Sequence, residues 1–253
     1  MTINSSAQDC QYEYYFHLTD LAKEQVSKKK FKEAKRSFKE AFSNIEFPLG
    51  HDLSFALYVA DQTKDNEWAE LIAEKLAMGG VPLRYFSKFK KRKWYSDFET
   101  EFKVYNKYYD KNFNSELRNQ FLALSKKDTE FNENYHAWRK GNLQLSLQDL
   151  IDQATEIVTE FNRINDKYGF PDEQKMGYYY VPGKIRVEPF PVLPLLVHIY
   201  QRGVLVLQEE IHTIVCKGGL HPSYELTLQK VRGFGNSTGV EQEMQARYAK
   251  YQN

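Results

Sequence analysis

Apolar and small residues recur every three or four positions between Tyr14 and Ile45, with a single break between two runs. This spacing predicts two amphipathic helices joined by a turn, because side chains three and four apart share one helix face. Small residues lie where the helices would cross: Ala22 on the first, and Ala34 and Ala41 with Phe38 between them on the second. We therefore expect a closely packed helical hairpin.

A second hairpin is predicted over Asp52 to Met78, where Gly79, Gly80 and Pro82 form a helix stop. The alanines of the two hairpins recur close to the period of a two-helix tetratricopeptide unit, about 34 residues. Residues 14–80 therefore resemble a tetratricopeptide protein, although Gln25 stands where that repeat usually carries an aromatic residue. The resemblance implies stacked hairpins that bind a partner. Two units are fewer than such arrays need, so the later half of the chain is expected to cover them.

The whole pattern predicts an all-α fold with two domains. The first, 12–110, is a tetratricopeptide-like array closed by the aromatic and basic segment Val81 to Asp110. The second, 115–253, is a helical domain. Its predicted parts are amphipathic helices from Ser115 and over Leu147 to Tyr168, a proline-rich loop at 169–194 with an extended piece at Lys184 to Val187, helices over Val192–Gln201, Val204–Lys217 and His221–Val231, a glycine-rich segment at 232–239 and a short final helix.

Several motifs of the second half occur in a familiar order: Asp128, DKYGFP at 166–171, Gly177, LLVH at 195–198 and GGLHPSYE at 218–225. Together they resemble a bacterial family known only as a domain of unknown function and often preceded by tetratricopeptide-like helices. The resemblance covers about 115–242, with Gln242 similar to the family's C-terminal glutamine motif. The chain departs from the family at 229–232, where Gln-Lys-Val-Arg replaces an Asp-Arg pair. The resemblance implies an architecture and no activity.

The content of charged residues and cysteines limits the classes of protein to which this chain can belong. The 35 basic and 34 acidic residues nearly cancel, so no overall field draws the chain to nucleic acid. Cys10 and Cys216 are too few for a disulfide framework and are expected to be free thiols. The polar N-terminus does not read as a secretory signal, and the longest apolar run, Val192 to Val197, is too short to span a bilayer. We expect a cytoplasmic protein that does not enter a membrane.

Two surface features suggest binding. The run Lys88 to Lys93 lies among aromatic residues, and basic and aromatic residues together can bind single-stranded nucleic acid. A solvated face is the favoured interpretation of this run, so nucleic acid is not an expected partner. Tyrosine clusters are common in protein interfaces, because tyrosine buries a large area and keeps a polar tip. The candidate partner-binding residues are Tyr14, Tyr15, Tyr108, Tyr109, Tyr178 and Tyr179.

Candidate catalytic groups are few. His198, on an apolar helix, and Asp128 are the candidates for acid–base chemistry, and a hydrogen-bonded core histidine is the alternative. Glu133 with His136, and Glu209 with His212, have the Glu-x-x-His spacing of di-metal helix bundles, but two surface pairs are the simpler interpretation. No cofactor or metal is implied.

The sequence favours a protein-binding module over an enzyme. The most concrete form is a cytoplasmic immunity or inhibitor protein whose partner is another protein, such as a toxin. The alternative is a metal-dependent hydrolase or oxidase that uses His198 or the two Glu-x-x-His pairs.

Overall fold

The computed structural model describes residues 10–232, and within them the predicted all-α fold is confirmed. No strand forms in this range, and one isolated antiparallel bridge joins Tyr179 to Glu188. The extended piece expected at Lys184 to Val187 is therefore not a strand. Positions 233–239 of the glycine-rich segment, the predicted final helix and Gln242 lie outside the described residues. No helix in the described part of the chain is long and apolar enough to cross a membrane.

The helices are numbered in chain order, with a 3₁₀ helix at Leu83–Phe89 left unnumbered. Their bounds are α1 Gln11–Ser27, α2 Phe31–Ser43, α3 Gly50–Gln62, α4 Asn66–Met78, α5 Tyr95–Asn112, α6 Ser115–Arg139, α7 Leu147–Tyr168, α8 Glu173–Met176, α9 Val192–Gln201, α10 Ile211–Cys216 and α11 Pro222–Arg232.

The described residues divide into two compact units. The first contains 10–114, Asp172–Phe190 and Thr213–Gly219, and the second contains Ser115–Pro171, Pro191–His212 and the chain from Leu220. The predicted first domain, 12–110, lies wholly in the first unit. The predicted second domain, 115–253, is shared between the two, because the segments 172–190 and 213–219 pack with the early helices.

The first unit is built from two successive helical hairpins. Helix α1 packs on α2, α3 on α4, and α5 on α4. Ala22, Ala34, Phe38 and Ala41 are fully buried, as the predicted helix crossing requires. The first hairpin and the helix end at Met78 are thus confirmed, with Gly79 as the C-cap of α4.

The prediction of two free thiols is wrong. Cys10 and Cys216 form a disulfide that joins the start of α1 to the end of α10. Next to it, Tyr12 lies flat on Gly218, where a Cβ atom would stand 2.4 Å from the ring. The two cysteines are 206 residues apart, so their spacing carried no sign of the pairing. Only the fold brings them together.

The second unit is centred on the long helices α6 and α7, whose predicted apolar stripes face each other. Its fully buried residues include Leu117, Phe121 and Phe161. Helix α7 begins in a capping box, in which Ser146 and Asp149 bond each other's backbone N–H groups. Helix α9 packs on both α6 and α11.

Two local predictions in the later half need correction. The helix expected over Val204–Lys217 is wrong: residues 206–210 form turns, and α10 begins only at Ile211. Leu207 has a φ of 55°, a left-handed conformation that no α-helix accommodates. The proline-rich stretch 169–194 is also not loop throughout, since it contains α8 and the first residues of α9.

Candidate functional site

The first unit contains a solvent-open groove of about 250 Å³, here called the aromatic groove. Its walls come from the α2–α3 connection, the ends of α4 and α5, and the segment around α8. The lining residues are Glu46, Phe47, Pro48, Lys75, Met78, Gly79, Tyr108, Asn112, Phe113, Gln174 and Tyr178. It therefore combines an aromatic and apolar wall with two charges and two amides.

Tyr178 fixes the base of the aromatic groove. Its hydroxyl donates to the carbonyl oxygen of Pro48 at 2.8 Å, and its backbone N–H donates to the Gly79 carbonyl oxygen at 2.7 Å. Its ring lies on both Gly50 and Gly79, where a Cβ atom would stand 2.6 Å and 2.2 Å from it. These contacts explain why glycine occupies both positions. They also hold the segment that contains Tyr178 in a fixed place in the first unit.

The start of α3, beside the groove, is held by side chains from distant parts of the chain. Glu173 accepts a hydrogen bond from the backbone N–H of Gly50 at 2.7 Å, and Tyr15 accepts one from Leu49 at 2.9 Å. Tyr15 in turn donates to Asp52 at 2.7 Å. A helix N-terminus favours such acceptors because its first N–H groups have no partner within the helix. The groove is thus supported by a rigid hydrogen-bonded network.

The six candidate tyrosines fall into different environments. Tyr14 and Tyr108 are exposed at 49% and 47%, whereas Tyr15 and Tyr178 are buried at 0% and 3%. The two buried tyrosines act in the network described above and are not available as surface anchors. Tyr109 is half-buried against Gly80 and Gly177, and Tyr179 is half-buried with its ring stacked on Phe190. Only Tyr108 is both exposed and part of the groove.

Aromatic contacts in the groove extend beyond the residues that the sequence suggested. Phe47 lies 6.1 Å from Phe113 and 5.3 Å from Tyr178, centroid to centroid. Neither phenylalanine stands in a motif or a periodic stripe, so sequence reasoning did not select them. Lys75 and Glu46 also line the groove, and neither forms an ion pair among residues 10–232.

In the second unit, the fold brings the two catalytic candidates together. Nδ1 of His198 lies 2.6 Å from Oδ2 of Asp128, which is 3% exposed. Arg202, the C-cap residue of α9 and one turn after His198, donates to Oδ1 of Asp128 at 2.7 Å. Asn132, one turn after Asp128 on α6, places its amide nitrogen 2.8 Å from the same histidine nitrogen. We call these four residues the Asp128 cluster.

The Asp128 cluster orients the imidazole of His198. Nδ1 can donate to the Asp128 carboxylate or, in the other tautomer, accept from the amide of Asn132. When Nδ1 donates to the carboxylate, Nε2 has the free lone pair, on a side chain that is 32% exposed. A histidine held in this way can take a proton from water or a hydroxyl group. The same cluster also fulfils a structural need, because the buried carboxylate is balanced by the buried guanidinium of Arg202, which stacks 4.3 Å above Phe131.

The two Glu-x-x-His pairs are placed differently from each other. Glu133 and His136 lie on α6, but Glu209 lies in a turn before α10, so it does not share a helix face with His212. Nδ1 of His212 instead lies 3.4 Å from a carboxylate oxygen of Glu225. The described part of the chain has no group of three or more His, Cys, Asp or Glu residues placed to hold a metal ion.

The basic run Lys88 to Lys93 is partly built into the first unit. Phe89 and the following Trp94 are buried, and Arg92 forms a two-point ion pair with Asp61, with Nε 2.6 Å and a terminal nitrogen 2.9 Å from its oxygens. Lys90, Lys91 and Lys93 are exposed, as a solvated face would be.

No protein-family model, characterised protein or solved structure matches this chain. The resemblances to tetratricopeptide proteins and to the bacterial domain family therefore stay predictions.

Proposed function

We propose that this protein binds another protein, and that its aromatic groove receives a segment of the partner's chain. The observation that carries the proposal is the exposed ring of Tyr108 at the edge of a groove whose base, formed by Tyr178, is held rigid. Aromatic anchors on preorganised walls are typical of the residues that dominate binding energy. Little ordering is then needed when a partner binds.

The chemistry of the lining favours a polypeptide segment as the occupant. Apolar walls suit one large apolar or aromatic side chain. The amide nitrogens of Asn112 and Gln174 already donate to backbone carbonyl oxygens of this chain, and their amide oxygens are the groups that can accept from a peptide backbone. Lys75 and Glu46 supply one cation and one anion, so the groove has no net charge to select a highly charged ligand. The proposed ligand is therefore a neutral segment with one bulky apolar side chain.

The most concrete version of this function is an immunity or inhibitor protein that neutralises a toxin by binding it. Such a protein needs a binding surface and no catalytic centre. If its gene lies beside that of a toxin, co-expression of the two should restore growth, and Tyr108→Ala should remove that protection. Growth that Tyr108→Ala protects as well as the wild type does would refute this version.

Alanine variants of two exposed tyrosines, Tyr14 and Tyr108, form a matched pair of bait proteins for finding the partner. They have nearly equal exposure in the same unit, but Tyr14 lies away from the groove lining and contacts Glu40. In quantitative purification from the native cell, we expect one protein to be recovered in stoichiometric amount by the wild type and by Tyr14→Ala, and to be lost with Tyr108→Ala. Equal recovery by all three baits would place the binding surface elsewhere.

We propose the cytoplasm as the location, and the Cys10–Cys216 pair provides its test. Cytosolic thiols are kept reduced in most organisms, whereas disulfides persist in oxidising compartments. The pair is a disulfide in the structure, but in the cytoplasm it should be reduced, so rapid alkylation in intact cells should label both cysteines. A fully oxidised pair in cells would contradict the cytoplasmic location and favour an oxidising compartment.

A second candidate function is acid–base catalysis by His198, supported by the 2.6 Å contact between its Nδ1 and Asp128. A hydrolase is the reaction class that this arrangement suits, with His198 as the general base on water. A panel of simple carboxyl and phosphate esters, assayed with and without added divalent metals, tests it. Turnover that His198→Gln abolishes without loss of folding supports catalysis. Turnover unchanged in that variant, or none with the wild type, refutes it.

A further inference from the structure

Arg186, in the segment that follows α8, has a charged group with no counterion. Its guanidinium carbon lies 3.8 Å from the ring centroid of Phe55 and 5.7 Å from that of Tyr58. Its Nε is buried without a hydrogen-bond partner, and the residue forms no ion pair within 10–232. Arginine keeps its charge at all relevant pH values, and half-buried charges are normally paired. The guanidinium is thus oriented by stacking and left with free donors.

Lys88 brings a second cation to the same place. Its Nζ donates to the carbonyl oxygen of Ile185 at 3.1 Å and lies 4.7 Å from the ring centroid of Tyr85. Burial lowers the pKa of Lys88, and the nearby charge of Arg186 lowers it further, while Asp61 opposes the shift. The hydrogen bond to Ile185, the residue directly before Arg186, therefore places both cations in one surface patch.

A third cation lies near these two. The guanidinium carbon of Arg84 stands 5.6 Å from the ring centroid of Tyr180, which is itself 5.5 Å from Tyr85. In the described part of the chain, none of the three cations forms an ion pair. Asp61 is the carboxylate that acts on Lys88, and both of its oxygens already pair with Arg92. The local charge balance is therefore positive.

We propose that Arg186 and Lys88 form a binding site for the phosphate group of a small phosphorylated molecule, with Arg84 adding long-range attraction. A phosphate monoester carries nearly two negative charges at neutral pH and several acceptor oxygens. The planar fork of arginine matches two of those oxygens, and the lysine ammonium adds a point charge. A bound dianion would remove the repulsion between the two cations.

Tyr58 suggests what else the ligand carries. Its ring is 38% exposed and lies beside the guanidinium of Arg186. An exposed aromatic face next to a phosphate-binding arginine can stack a planar ring. The site therefore fits a phosphate on a ring-bearing molecule, such as a nucleoside monophosphate, better than inorganic phosphate alone.

Calorimetric titration of the full chain with adenosine monophosphate, adenosine and inorganic phosphate tests the proposal. We expect saturable binding that is strongest for the monophosphate, weaker for inorganic phosphate and absent for adenosine. Lys88→Met and Arg186→Gln should each weaken binding about tenfold or more, because each removes a charge-assisted contact. Lys91→Met, an exposed lysine of the same basic run, is the matched control and should leave the affinity unchanged.

The shift in Tm on adding phosphate gives a second readout, independent of calorimetry. Phosphate should raise the Tm of the wild type and of Lys91→Met, and the rise should shrink in Lys88→Met, whose Tm without phosphate reports its own folding. The proposal is overturned if none of the probes binds, if Lys88→Met binds as well as Lys91→Met, or if only a single-stranded oligonucleotide binds with affinity that falls steeply with salt.

Discussion

The ring of Tyr178 lies so close to Gly79 that a Cβ atom on the glycine would stand 2.2 Å from it. The tyrosine belongs to the segment after α8, and the glycine is the C-cap of α4. Together with the hydrogen bonds of Tyr178 to Pro48 and Gly79, this contact fixes the base of the aromatic groove, and it depends on a residue with no side chain.

Substitution of Gly79 should therefore destabilise the protein through this contact alone. Gly79 has a φ of −86°, which alanine adopts without strain, so the expected loss of about 1–3 kcal/mol in the free energy of unfolding comes from overpacking. Denaturant unfolding of Gly79→Ala measures it. In a Tyr178→Ala background the same substitution should be nearly neutral. An undiminished loss in that background would contradict the packing explanation.

The disulfide should stabilise the oxidised protein. Breaking it with Cys10→Ser should cost about 2–4 kcal/mol of unfolding free energy, because the link closes a very long loop in the unfolded chain. Thermal melts with and without a reducing agent measure the effect. The reductant should lower the Tm of the wild type to that of Cys10→Ser and leave the variant unchanged. A wild-type Tm that does not respond to the reductant would refute this role.

Alkaline pH should unfold the protein through its buried tyrosines. Burial, followed by the charge of Asp52, raises the pKa of Tyr15 well above its usual value, and burial raises the pKa of Tyr85 to about 12. The neutral phenols are thus favoured in the folded state, while the unfolded chain loses these protons near pH 10. Stability should fall as the pH rises from about 10 toward 12. Tyrosinate absorbance should increase together with the loss of helical circular dichroism, and Tyr85→Phe should make the fall less steep.

The Asp128 cluster should respond very differently to two substitutions. Asp128→Ala leaves the guanidinium of Arg202, itself 4% exposed, without its carboxylate and should cost about 3–5 kcal/mol of unfolding free energy. His198→Gln removes a partly exposed ring from the same carboxylate and should cost about 1 kcal/mol. Equal losses in the two variants, measured by denaturant unfolding, would show that the histidine is as structural as the arginine.

The sequence predicted the helices well where a local pattern decided them. The small residues Ala22, Ala34 and Ala41 are buried as expected, and α4 ends at its glycine. It failed where distant contacts decide the conformation. The residues around Leu207 give no signal that predicts its left-handed conformation. The pairing of Cys10 with Cys216 depends on the fold, which brings the two cysteines together.

The candidate site residues could also be predicted where the residue type identified them, and not where contacts between distant residues decide the site. His198 and Asp128 were selected separately as residue types suited to acid–base chemistry, and their 2.6 Å contact required the packing of α6 on α9. Phe47, Phe113 and Arg186 were not selected, because each depends on a neighbour far away in sequence. Exposure also could not be predicted for the tyrosines, since Tyr14 and Tyr15 are adjacent in the chain and one is exposed while the other is buried.

The most direct test of the groove is the affinity of one display-selected peptide for two variants. A peptide library selected on the wild type should yield sequences with one bulky apolar anchor and a low-charge context. Calorimetry should then show Tyr108→Ala binding at least about tenfold more weakly than the wild type, as expected for a hot-spot tyrosine. Tyr14→Ala should bind as the wild type does. Equal affinities for Tyr108→Ala and Tyr14→Ala would contradict the assignment of the aromatic groove as the partner-binding site.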